Sequence, residues 1–128
     1  RIMRRRFFTR WGFLRRSGIG WDTSVTIPPI LMAAYLFLHL MAISQPAVEW
    51  GVADDHGKLD TFSGSVDHVS ITMPPGCRFI GHTHDDFGSP YPSKKDIEAA
   101  IETQTPDLVV SRFQAYLVNV DGTVVRVQ

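Results

Sequence analysis

The sequence predicts an α+β domain, a mixed β-sheet flanked by two helices and preceded by a basic arm. Three observations carry this. An apolar run over residues 30–43 is bounded by Pro28-Pro29 and Pro46, the pattern of a buried helix. Ser93 opens a second helix, with Ile97, Ala100 and Ile101 recurring at helical spacing. Between and after them lie short stretches rich in β-branched residues, separated by Gly, Pro and Asp turns. At 128 residues the chain has the length of one domain.

Taken in order, residues 1–20 form an arm in which Arg is mixed with Phe7, Phe8, Trp11, Phe13 and Leu14. It ends in Ser17-Gly18-Ile19-Gly20, a flexible break, so the domain proper is expected over residues 21–128. Residues 24–27 read as a first strand. The helix then starts at Pro29, because proline is tolerated in a first turn, and runs to Ser44. Being apolar nearly all round, it is expected to be buried on several sides. Residues 47–53 read as a strand and Asp54-Asp55-His56-Gly57 as a turn, with residues 58–62 pairing back. Residues 66–73 alternate as a strand, Val69 and Ile71 on one face and His68 and Ser70 on the other. Pro74-Pro75-Gly76 turns the chain into a strand over residues 77–81, which empties into His82-Thr83-His84. A loop rich in Gly, Pro and Asp leads to the second helix, ending near Thr103. Residues 108–110, 114–120 and 123–127 are the last strands, the final two joined at Asp121-Gly122.

A formal net charge of zero conceals an asymmetry. Seven arginines fall in the first sixteen residues, and all thirteen acids follow Gly20, against six Lys and Arg. An arm of +7 on a domain of −7 points to an anionic partner for the arm, a nucleic acid or a membrane surface, or to a solvated tail. The run over residues 30–43 falls short of the roughly 20 residues that span a bilayer, so no transmembrane helix is expected. A signal peptide or membrane anchor is the alternative for this run, since an Arg-rich stretch lies upstream. The chain opens on Arg rather than Met, as expected of a fragment or processed product. A single cysteine, Cys77, excludes an intrachain disulfide and Cys-rich zinc motifs, and a cytoplasmic location is expected.

His82 and His84, two residues apart at a strand end, point to the same side and can share a cation. Zinc favours imidazole and carboxylate ligands, and catalytic zinc takes three protein ligands plus water. Asp96, in the first turn of the second helix, supplies a third ligand and suits the helix dipole. Alone, a His-x-His pair is weak evidence.

Gly81-His82-Thr83-His84 followed by Pro92-Ser93-Lys94-Lys95-Asp96-Ile97 resembles the signature of the JAB/MPN family, the JAMM metalloproteases: His-x-His, a short loop, then Ser-x-x-Asp. The family's upstream Glu is matched by Glu49 in Val48-Glu49-Trp50-Gly51, and its start by Val25-Thr26-Ile27-Pro28 before an apolar helix. The resemblance spans about residues 24–128 and implies cytidine-deaminase-like layering of helices and sheet. It implies His82, His84 and Asp96 as Zn2+ ligands, Glu49 as the base that activates the zinc-bound water, and Ser93 as the oxyanion stabiliser. The implied activity is a hydrolase's: metalloprotease or isopeptidase cleavage of a peptide or a ubiquitin-like protein substrate. The His84-to-Ser93 loop holds eight residues where the family usually has seven, and Asp85 stands where proline is common. Asp85 and Asp86 are therefore competing ligands.

Simpler readings stand beside these. Glu49 could be a surface carboxylate, Asp96 a dipole partner and Ser93 only a cap. His39 reads as a core or helix-face residue, His56 as a solvated turn residue and Cys77 as a buried small residue. Gly76 and His82-Thr83-His84 also match the start of a cupin motif, but the Glu and second His motif of a cupin do not follow. A non-catalytic JAB-like scaffold, anchored in an assembly by the basic arm, is the alternative to the enzyme.

Overall fold

The computed structural model describes residues 29–85 and 88–128. The arm over residues 1–20, the expected strand over 24–27, and Asp86 lie outside the described residues. Helix α1 spans Pro29–Ser44, followed by strands β1 (Trp50–Asp55), β2 (Lys58–Ser63) and β3 (Ile80–Thr83). Helix α2 (Lys94–Thr103) then precedes β4 (Asp107–Val110), β5 (Ala115–Val118) and β6 (Val124–Arg126). The strands form a six-stranded mixed sheet in the order β2-β1-β3-β4-β5-β6. β3 and β4 are parallel, joined by the crossover that contains α2, and the other neighbours are antiparallel.

Among the described residues, each face of the sheet carries one helix. Leu31, Ala34 and Leu38 recur at helical spacing along α1 and pack with Val52, Leu108, Val110 and Leu117. On the opposite face, Ala100 and Ile97 of α2 pack with Val109 and Val118. Strand alternation explains the division, since Leu108 and Val109 point to opposite sides. Gly81 allows close packing on the α1 side: a Cβ there would lie 2.8 Å from Leu38 Cδ1 and 3.0 Å from the Leu108 carbonyl oxygen.

α1 begins and ends where its prolines place it, but only one face is fully buried. Leu36, Leu40 and Ile43 are about half exposed, so an apolar composition all round does not become burial on several sides. His39 lies half-buried on the helix, stacked on Tyr35. The β1–β2 turn is His56-Gly57, both at positive φ, the two-residue loop that matches strand twist. No helix among the described residues is long and apolar enough to cross a membrane.

Three expected strands shift. β1 starts at Trp50 because residues 45–48 turn after Pro46, closed by Val48 N–H donating to the Gln45 carbonyl. β3 starts at Ile80, which places His82 inside the strand. Residues 66–73 keep their alternation, with Val69, Ile71 and Met73 half-buried and Ser70 and Thr72 exposed, yet they form no strand. A turn closed by Ser65 N–H to the His68 carbonyl diverts the chain, which then lies across the sheet instead of joining it. Gly51 marks the crossing: a Cβ there would stand 2.6 Å from Ile71 Cγ1.

Candidate metal centre

The site lies on the α2 face at the carboxyl ends of the parallel strands β3 and β4, a usual place for ligands in sheets with parallel crossovers. His82 pairs in register with Gly51 of β1 and Val109 of β4. Its side chain therefore shares the face of Val109. His84 follows two residues later on the same face, its N–H held by the Val110 carbonyl. Continuing the β1–β3 register brings Glu49 opposite His84. Trp50 N–H donates to Thr83 Oγ1 at 2.9 Å and locks the intervening pair.

Asp96 reaches the same point from the first turn of α2. Ser93 and Asp96 form a capping box: Asp96 N–H donates to Ser93 Oγ at 3.1 Å, and Ser93 N–H donates to Asp96 Oδ2 at 2.8 Å. The bonds that start the helix thus also aim the Asp96 carboxylate.

His82 Nε2 and His84 Nε2 lie 3.2 Å apart. His82 Nε2 is 3.4 Å from Asp96 Oδ1, and His84 Nε2 is 3.2 Å from Asp96 Oδ2. A tetrahedral ion with bonds of about 2.0–2.1 Å spaces its ligands about 3.3–3.4 Å apart. The three edges match that spacing, and His82, His84 and Asp96 are the one such ligand group among the described residues.

The outer nitrogens support the same reading. His82 Nδ1 lies 3.1 Å from Asp107 Oδ1, and His84 Nδ1 lies 3.0 Å from the Ser89 carbonyl oxygen. Both acceptors require an N–H at Nδ1. Each neutral imidazole then turns a bare Nε2 lone pair toward the other and toward Asp96. Such an arrangement repels itself unless a cation, a proton or a metal ion, sits between. The donor set, two imidazoles and a carboxylate, could hold a divalent metal ion.

The charges follow from these contacts. Burial opposes a charged His82, but Asp107 and Asp96 outweigh it and raise its pKa well above 6.5. Burial would raise Asp96, yet hydrogen bonds from His82 and His84 hold it well below the usual carboxylate range. Burial raises Glu49; His82 and His84 oppose the shift, and Asp85 and Asp96 add to it.

These groups line one cavity of about 780 Å³. Its apolar wall is Val69, Ile71 and Met73, and its opposite wall includes Lys95 and Ala99 of α2, with Tyr91 also lining it. Tyr91 packs edge-on against Tyr116. Glu49 and Ser93 both line the cavity with the three ligands. Asp85 lines it too, and accepts from Gly88 N–H at 2.9 Å, but it stands outside the ligand group.

Two contributors were not foreseen from sequence, Asp107 and the Ser89 carbonyl. Asp107 left one signal, an acid heading an otherwise apolar strand. The Ser89 carbonyl left none, since backbone groups carry no residue type. No protein-family model matches the chain, and no curated protein matches it.

Proposed function

We propose that this chain is a zinc-dependent hydrolase of peptide or isopeptide bonds, of the JAB/MPN metalloprotease type. The observation that carries the reading is the His82, His84, Asp96 triangle, edged at 3.2–3.4 Å, with Glu49 on the same sheet face and in the same cavity. His82, His84 and Asp96 would hold the ion through two Nε2 atoms and a carboxylate. When bound, zinc supplies Lewis-acid polarisation of a carbonyl and acidifies a water molecule.

The remaining chemistry belongs to the chain. Glu49 accepts the proton of the attacking water and passes it to the leaving amine, and burial, by raising its carboxyl, strengthens its hold on that proton. The Ser93 hydroxyl spends a lone pair on Asp96 N–H and keeps its hydrogen to donate to the developing oxyanion. The cavity between residues 69–73 and α2 takes the substrate as an extended segment, with aliphatic side chains against Val69 and Ile71.

Glu49→Gln tests the roles separately. The variant is expected to keep its zinc and lose about 10²–10⁴-fold in the rate of cleavage of a fluorogenic peptide library and of isopeptide-linked lysine substrates. Cleavage at the wild-type rate by zinc-loaded Glu49→Gln would overturn the assignment.

A further inference from the structure

Asp107 is the most costly residue of the site to explain as scaffolding. It heads β4, its side chain is 6% exposed, and its carboxylate has one hydrogen-bond partner among the described residues, His82 Nδ1 at 3.1 Å. A buried carboxylate is unfavourable unless it is paired. A strand between apolar neighbours would be served as well by Val or Ile at that position.

The register makes the pairing deliberate. Asp107 stands two residues before Val109, the partner of His82, so both side chains emerge on the α2 face of adjacent parallel strands. The carboxylate thus meets the imidazole from the side opposite the ligand triangle. The two histidines are held differently: His84 Nδ1 faces a neutral loop carbonyl, and His82 Nδ1 faces an anion in the sheet. Charge adds a second argument. Asp96 and Asp107 bring two negative charges to two neutral imidazoles, and a dication makes that set neutral.

We propose that Asp107 is a positioning residue of the metal centre: it fixes His82 as the Nδ1–H tautomer, so that Nε2 is offered to the ion, and its charge balances a dication. This rests on the metal-binding part of the functional reading and is independent of hydrolysis. Carboxylate partners of ligand histidines elsewhere contribute roughly 10–100-fold in metal affinity.

The test is Asp107→Asn, whose side-chain oxygen still accepts from Nδ1–H but carries no charge. Zinc affinity, measured by chelator competition, is expected to fall about 10–100-fold. The metal-free variant should melt below wild type under about pH 6.5, where a charged His82 loses its partner, so zinc affinity is the deciding readout. Unchanged zinc affinity together with that lowered midpoint would assign Asp107 to structure alone and overturn the proposal. If the variant does not fold, ¹⁵N NMR of wild-type His82 decides. In the metal-free protein at high pH, with His82 neutral, an Nδ1–H tautomer supports the proposal and an Nε2–H tautomer overturns it. Wild type binding no zinc is the failure of the metal reading itself, and overturns both.

Discussion

The Nε2 atoms of His82 and His84 face each other across 3.2 Å, while both Nδ1 atoms are committed to acceptors on the outside. Two imidazoles fixed in this way form a trap for a cation, closed on the third side by Asp96.

Protons and metal must therefore compete for the same atoms. The raised His82 stabilises the metal-free fold fully below about pH 6.5, and that contribution is lost as pH rises through its raised value. Asp96 acts with the opposite sign: its contribution is present above about pH 3.8 and is lost as pH falls through its lowered value. The metal-free protein should accordingly be most stable between about pH 4 and 6.5. Zinc must displace a proton from His82, so the zinc-induced rise in thermal midpoint should grow from about pH 6 to pH 8. Melting curves with and without zinc across that range check this; a zinc effect independent of pH contradicts it.

Ser93 caps helix α2, and the proposed mechanism gives its hydroxyl a second role at the oxyanion. Ser93→Ala should cost about 1 kcal/mol through the lost cap. It should also slow peptide hydrolysis about 10²–10³-fold, the usual effect of removing an oxyanion donor. Denaturant unfolding and steady-state kinetics on the same sample separate the two. Ser93→Ala with full activity would leave Ser93 as a cap only.

Gly64 governs the apolar wall of the cavity. A Cβ at this position would lie 2.1 Å from the His68 carbonyl oxygen and 2.7 Å from Val69 Cα, both backbone atoms. Gly64→Ala must push residues 65–69 away from β2 and carry Val69 and Ile71 with them. The expected outcome is a loss of about 1–3 kcal/mol, the cost of overpacking, and a raised KM for peptide substrates with zinc affinity unchanged. Equal stability and KM would show that the wall accommodates the change.

The elements legible in the sequence were those with local punctuation. α1 carries its own stops in Pro29 and Pro46, and α2 its own start in Ser93. Residues 66–73 depart from the strand their pattern predicts because alternation reports a pleated chain with one buried side, and a segment lying over Gly51 shows the same alternation without a ladder. At the site, His82, His84 and Asp96 were legible as a ligand set, and the structure brings their donor atoms together. Asp107 was not, because its approach to His82 depends on the β3–β4 register, a pairing between strands 24 residues apart at Thr83 and Asp107.

Zinc stoichiometry and affinity, measured on wild type and His84→Ala after removal and return of metal, decide whether this site is a metal centre. Wild type is expected to bind one zinc per chain. In the variant, affinity should fall beyond the roughly 10–100-fold that loss of a ligand histidine's hydrogen-bond partner costs, with secondary structure retained. Wild type that binds no zinc, or His84→Ala that binds it equally well, would contradict a metal centre at His82, His84 and Asp96.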